Sequence, residues 1–359
     1  MNEKKEQPIK MKTLKVSGIL ALVLVGALLF VGVMEGAVRL MENKLDFLDA
    51  GERWSADGSR FAVCALYQER EAAVPVDQAL TWAHQIDTAL LEASVTPKEG
   101  GRSWAYCYGT TTELTVSGTM NSATAAVVAA GGDFFVFHPL TFSSGAPFLN
   151  DPSNPCGVVL DRELAWKLFG AVNVVGFPVT IGGVDFTVTG ISEKSSNDSV
   201  YQTTYGETPR MYMSAAGYAK VIGNENFVTF FEAALPNAVR GFAWNIFDGA
   251  VPSGSASGQS SEVTERFALK KRFEHMKTLD YSWVRQNSIE LPYWENEASV
   301  YDYRAATLIP WEIVFAAVGA AALLASLICL RASGWTLTGS AKKLVTKAVR
   351  ARRDKKKQA

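Results

Sequence analysis

The sequence predicts an α+β body held between two membrane-spanning helices. Three observations predict it. Two uncharged apolar runs, Val16–Met34 and Ile313–Leu330, lie near the two ends of the 359-residue chain. The stretch between them, Glu35–Glu312, is charged, Gly-rich and aromatic, like a domain folded in water. Within it, strand-like segments alternate with a few helical ones in no regular βαβ rhythm, which points to α+β and away from a doubly wound sheet.

The apolar runs are 19 and 18 residues long. At roughly 1.5 Å per residue, each covers a hydrocarbon core of about 30 Å. Lys4, Lys5, Lys10, Lys12 and Lys15 precede the first, and a basic stretch from Arg331 to Lys357 follows the second. The positive-inside bias places residues 1–15 and 331–359 in the cytoplasm and 35–312 outside, a two-pass cell-membrane topology. The first run exceeds the ~7–15 residues of a cleaved signal, and no A-x-A site follows it, so an uncleaved anchor is expected. In the second run, Ala316, Gly319, Ala320 and Ala322 form a small-residue face suited to close helix packing, expected to meet another membrane subunit.

The basic tail has its own pattern. Ala341, Leu344, Val345, Ala348 and Val349 fall on one helical face, with Lys342, Lys343, Lys347 and Arg350 on the other. It reads either as an amphipathic helix on anionic lipid or as a solvated stop-transfer tail. A tail this short beside a membrane is not expected to bind nucleic acid.

Along the body, Gly58–Gln68 reads as a strand. Val76–Ser94 reads as a helix, with Leu80, Ala83, Ile86, Leu90 and Leu91 at helical spacing and Pro97 beyond its end. Trp104–Ser117 is strand-like, and Ala125–Leu140 continues β-prone through Phe134, Phe135, Val136 and Phe137. Gly157–Leu160 is a short buried strand; Asp161 caps a helix running to Phe169, which Gly170 stops. Gly176–Ile191 reads as a hairpin turning at Gly182-Gly183, where the double Gly supplies positive φ. Arg210–Met213 and Asn226–Leu235 read as strands, and Pro236 opens a helix over Asn237–Phe247. Gly249–Ser261 is a low-complexity loop.

At 48% hydrophobic the chain is no disordered polymer, and its net charge of −1 conceals an acidic body between basic ends. Cys329 lies in the second run; Cys64, Cys107 and Cys156 lie in the body. Outside the cell disulfides persist. Cys64 and Cys107 sit in strand-like runs and either stay free or pair, closing a loop worth roughly 4 kcal/mol in the chain-entropy model. Cys156 is left single. His84, His138 and His275 lack partners at ligand spacing and read as structural. There is no phosphate-binding G-x-x-x-x-G-K-[ST] and no G-x-S-x-G elbow, so no enzyme, metal or cofactor is expected from this chain.

Three consecutive segments carry a resemblance: GGDFFVFHPLTFSSGAPF (131–148), GVVLDRELAWKLFG (157–170) and VVGFPVTIGGVDFTVTGIS (174–192). In this order they resemble the MacB-like periplasmic core domain of ABC-transporter permeases, the FtsX/MacB-like family. LPNAVRGFAWN (235–245) and PYWEN (292–296) resemble later family segments. The resemblance implies an extracytoplasmic α+β domain of two lobes, one around 130–200 inserted between 50–128 and 201–306. It also implies a cytoplasmic ATPase partner, a second permease subunit, and transmission of ATP-driven motion to the outer domain. Family permeases carry four spans, so a two-span form without the last two helices is expected, its tail from Lys342 standing where the cytoplasmic contact begins. The expected function is therefore a membrane subunit of an ABC-transporter-like complex. The alternative is a non-transporting binding, scaffold or sensor protein anchored by two helices.

Overall fold

The structure, a computed structural model, describes residues 3–333 apart from 56–57, 98–100, 151–153, 196–197, 224–226, 252–257 and 278–290. The chain divides into two compact units, Met1–Leu40 with Thr307–Ala359, and Met41–Ala306. Helix α1 (Glu3–Glu42) opens the chain. After it come α2 (Ala50–Trp54), β1 (Phe61–Gln68), α3 (Val76–Glu92), β2 (Ala105–Ser117), β3 (Ser122–Gly132), α4 (Phe134–Phe137) and β4 (Thr141–Gly145). Next are β5 (Gly157–Asp161), α5 (Arg162–Phe169), β6 (Pro178–Ile181), β7 (Val184–Glu193), α6 (Ser199–Tyr205), β8 (Arg210–Ser214) and α7 (Ala215–Ile222). The last are β9 (Phe230–Pro236), α8 (Phe242–Ala250), β10 (Gly258–Glu262), α9 (Leu269–Lys277) and α10 (Tyr293–Ala332).

The sheet unit is built on ten strands in the order β10-β1-β9-β2-β3-β8-β5-β7-β4, with β6 pairing β2 and β7. The pairings are antiparallel except β3/β8 and β5/β7. Strands from both expected lobes join in this one sheet, meeting where β5 pairs β8 and β6 pairs β2. Period-2 alternation gives the sheet two chemically different faces. On one face Ala62, Cys64, Phe231, Leu235, Val127 and Met211 pack with α3, α5, α7 and α8 into the apolar core. On the other face stand Tyr67, Cys107, Glu232, Phe230, Arg210 and Tyr212.

The local signals of the middle segment hold. Asp161 caps α5 by accepting from the Leu164 N–H at 2.6 Å, and Gly170 ends it with φ +64°. Gly182 (φ +56°) and Gly183 (φ +81°) turn the β6–β7 hairpin, a conformation that only residues without a Cβ enter freely.

Elsewhere the structure corrects the expectations. The aromatic run Phe134–Phe137 is a helical turn, not a strand. Gly132 (φ +70°) ends β3 where an added Cβ would stand 2.4 Å from the Tyr106 carbonyl, and the turn buries both Phe134 and Phe137 completely. In α3 the buried stripe is Ala79, Trp82, Ala83, Ile86 and Leu90, while Leu80 and Leu91 are exposed. Strand β9 runs through Pro236, and α8 begins only at Phe242, after the left-handed Gly241. Gly258–Ser261, the end of the expected loop, instead forms with Glu262 an edge strand paired with β1.

The Cys64–Cys107 bridge is also corrected: both are free thiols. Strand β9 separates their strands, and two spacings of roughly 4.8 Å exceed a disulfide's reach of ~7 Å between Cα atoms. Cys64 is in register with Ala233 and Cys107 with Glu232, so they point to opposite faces.

The helix unit holds two helices long and apolar enough to cross a membrane. The least exposed positions of α1 from Ser17 to Val38 (Ser17, Leu20, Leu24, Ala27, Val31, Met34, Val38) step by three and four. Those of α10 from Glu312 on (Glu312, Phe315, Gly319, Ala322, Ser326, Cys329) do the same. This is the heptad spacing of a paired-helix seam. Phe30 stacks on Phe315 with centroids 3.9 Å apart, a Cβ on Gly319 would lie 3.3 Å from that of Ala27, and Ser17 and Ser326 hydroxyls meet at 3.0 Å. The pairs run in opposite senses along the chain, so the helices are antiparallel. The expected packing face is thus split: Gly319 and Ala322 lie on this internal seam, whereas Ala316 and Ala320 are exposed. Lys342, Lys343, Lys347 and Arg350 lie outside the described residues.

In a Ser17→Cys/Ser326→Cys variant, mild oxidation is expected to give an intramolecular crosslink, read as a mobility shift on non-reducing gels. Adding Gly319→Leu is expected to abolish it, because the larger side chain forces the seam apart.

Candidate functional site

The polar face of the sheet is covered by the two segments that adjoin the apolar helices, residues 41–54 and 293–306, together with α4. Glu232 on β9 is its hub. Its side chain has no exposure, and carboxylates are almost never fully buried unless paired. Its Oε1 accepts from the Tyr67 hydroxyl at 2.8 Å and the Trp294 indole at 2.9 Å. Its Oε2 faces His138 Nε2 at 2.7 Å and Cys107 Sγ at 3.4 Å. An ionised carboxylate only accepts, so Nε2 carries the proton in this arrangement. Burial works to raise the Glu232 pKa, but the His138 charge and the donors from His138, Tyr67 and Trp294 outweigh it and hold the pKa below the usual range. Burial, aided by the Glu232 charge, pushes the Cys107 thiol well up, so it is protonated here. Aromatic rings close the hub: His138 lies 4.0 Å from Trp294 between centroids, and Phe134 lies 4.9 Å from His138.

One residue beyond Trp294, Glu295 enters a second cluster. The Arg266 guanidinium donates to Glu295 through Nη1 (3.0 Å) and Nη2 (2.7 Å), and to Asp302 through Nε (3.0 Å) and Nη2 (2.8 Å). Glu295 and Asp302 are seven residues apart, two turns of α10, so one helix face presents both. Burial works against the Arg266 charge, but Asp302 and Glu295 overcome it and hold the guanidinium well above its ordinary pKa. Glu295 is pushed up by burial, against the pull of Arg266.

Two further contacts involve the same segments. Lys44 pairs with Asp198 at 2.5 Å, and the Tyr301 hydroxyl donates to the same carboxylate at 3.1 Å. The Lys44 hydrogen bond, with the Val200 N–H, lowers the Asp198 pKa to about 2. Arg210 lies between the rings of Tyr205 (4.4 Å) and Tyr293 (4.3 Å), while its backbone N–H donates to Asp161 at 2.6 Å. Glu297, 6% exposed on α10, is pushed up to about 7 by burial and by the charges of Asp198 and Asp46.

Among the described residues, one group has donor atoms placed to hold a metal: Cys107, His138 and Glu232, whose ligand atoms all lie within 4.8 Å of one another. The sequence marked Cys107 only as a disulfide candidate and His138 as structural. The hub was missed because its members lie 94 and 125 residues apart along the chain. His84 is exposed on α3, away from any such group. Chemically the layer offers hydrogen bonds and ion pairs that fix residues 293–306 to the sheet and tie residues 41–54 to α4 and α6.

The model of the MacB-like periplasmic core domain family matches residues 17–240. Among solved structures, the periplasmic region of MacB from Actinobacillus actinomycetemcomitans is similar at 14% identity and TM-score 0.43, covering 59% of this chain and 92% of that one. The extracellular domain of the noncanonic ABC-type transporter YknZ from Gram-positive bacteria is similar at 13% identity and TM-score 0.39, covering 56% and 100%. No curated protein matches the chain significantly.

Glu232→Ala is expected to strand four buried donors and cost roughly 3–5 kcal/mol in urea unfolding of the full chain in detergent, with Glu232→Gln costing less. A second expectation concerns pH. Glu297 binds a proton in the folded state that the unfolded chain, with an ordinary pKa of 4.5, releases. That contribution is therefore present at low pH and lost as pH rises through about 7. Between pH 5 and 8 the wild type should lose on the order of 2–3 kcal/mol more than Glu297→Gln, measured by urea midpoints across that range.

Proposed function

The chain belongs to the MacB-like periplasmic core domain family of ABC-transporter-type permeases, and on that premise we propose that it is the membrane subunit of a complex driven by a separate ATPase. In this reading both termini lie in the cytoplasm, the sheet unit lies outside, and ATP hydrolysis elsewhere moves the apolar helices. The tail bearing Lys342, Lys343, Lys347 and Arg350 lies against anionic lipid or the ATPase, and a second permease subunit completes the assembly.

The observation that carries the reading is the polar layer. Residues 293–306 are anchored by buried charge, Trp294 to Glu232 of β9 and Glu295 and Asp302 to Arg266 just after β10, while residues 41–54 are tied to α4 through Arg53 and to α6 through Lys44. An apolar contact can slide by small steps, but an arginine with two bidentate carboxylates has few alternative registers. Removing one partner from such a buried group costs about 3–5 kcal/mol. A displacement of residues 293–306 is therefore passed to the sheet, where a partner or substrate would be engaged.

The test is purification of the full chain from its native membrane in mild detergent. An ATP-hydrolysing chain should co-purify, and truncation after Ser340 should lower the ATPase-dependent activity. Recovery of the folded protein with no ATPase and no second permease chain would sink the proposal. Asp302→Asn, which weakens one arm of the Arg266 cluster, should reduce that activity while the complex still assembles, measured by size-exclusion chromatography and phosphate release.

A further inference from the structure

The group formed by Cys107, His138 and Glu232 has more in it than a hydrogen-bond network needs. A thiol, an imidazole nitrogen and a carboxylate oxygen converge from three separate elements: β2, the residue after α4, and β9. Cys107 and Glu232 stand directly opposite each other in the β2–β9 register. The thiol contributes a weak 3.4 Å hydrogen bond to a carboxylate that already has three stronger donors. Sulfur is a poor donor but a strong zinc ligand.

We propose that Cys107, His138 and Glu232 bind a zinc ion that pins strands β2 and β9 to the turn following α4. The donor set suits this ion: zinc takes Cys sulfur, His nitrogen and carboxylate oxygen, and three protein ligands leave a fourth position. With metal–ligand bonds of about 2.0–2.3 Å in tetrahedral array, ligand atoms stand roughly 3.3–3.7 Å apart. Sγ and Oε2, at 3.4 Å, already have this separation. Nε2 and Oε2, at 2.7 Å, need to part by somewhat under an ångström.

Charge supports the same ion. On binding, the Cys107 thiol releases its proton and His138 ligates through Nε2 as a neutral imidazole with its proton on Nδ1. A dication, a thiolate and a carboxylate then sum to zero, the balance that full burial favours. The supporting shell is in place, because Tyr67 and Trp294 donate to the other carboxylate oxygen and aim Oε2 at the site. All three side chains belong to residues that are at least 95% buried. The ion is therefore taken up as the sheet unit folds, and it stabilises the folded state.

The test uses the full chain, produced in zinc-supplemented medium and purified in mild detergent without a metal-binding tag. Elemental analysis should find about one zinc ion per chain. Protein produced with cobalt should show the near-ultraviolet thiolate-to-cobalt charge-transfer band. Cys107→Ser should lose both metal and band. A Cys64→Ala/Cys156→Ser/Cys329→Ala variant, with Cys107 as its single thiol, should keep them. Folded wild-type protein containing no zinc above background overturns the proposal, as does a cobalt band that survives Cys107→Ser. Should Cys107→Ser fail to fold, the single-thiol variant decides: a band supports the site, and folded protein without one overturns it.

Discussion

A carboxylate without solvent, Glu232, is the constraint around which the polar face of the sheet is arranged. Nothing in an apolar core can satisfy it, and an unpaired charge there would cost several kcal/mol. It is met by donors from β1, β2, the end of α4 and α10, stretches far apart in sequence. Each donor fixes one element against the others. Trp294 sets the rotation of α10, and that rotation carries Glu295 and Asp302 to Arg266. The second cluster thus depends on the first: shift α10 by one residue and the indole leaves the hub while both carboxylates leave the guanidinium.

The two faces of the sheet consequently hold their coverings in different ways. On the apolar face, α3 and α5 are bound by area, through residues such as Trp82, Ile86, Leu164 and Leu168. Such contacts stabilise strongly and specify position weakly, since hydrophobic cores tolerate rearrangement when volume is kept. On the polar face, the segments adjoining the apolar helices are bound by directed bonds.

What was legible in the sequence was what local chemistry writes. The Asp161 cap, the Gly170 stop and the Gly182-Gly183 hairpin are each decided within ten residues of chain, and each stands where the pattern put it. Other segments were decided by tertiary context. Phe134–Phe137 has the apolar density of a buried strand, yet the close approach of Gly132 to the Tyr106 carbonyl ends β3 and winds the run into a turn. Leu80 and Leu91 fit a helical stripe, but the bulk of Trp82 rotates the buried face of α3 toward Ala79. Cys64 and Cys107 were both correctly read as strand residues. Their pairing failed on two facts no spacing reveals, the interposition of β9 and the opposite parity of their positions. The hub was illegible for the same reason: each of its members looks ordinary in its own stretch of sequence.

The polar layer also carries more acid than base. Glu232, Glu295, Asp302, Glu297, Asp198 and Asp161 are set against Arg266, Arg210, Lys44 and His138, and burial penalises each uncompensated charge. The consequence is visible in the acids themselves. Asp198 keeps its charge easily because Lys44 touches it, whereas Glu297, near the same lysine but without a bond to it, is pushed up to about 7. Glu295 is raised despite two hydrogen bonds from Arg266. Protonation is one way for such a layer to shed negative charge, and a bound dication is another. Both act on the groups around residues 293–306, so the stiffness of that attachment follows the charge state of the layer.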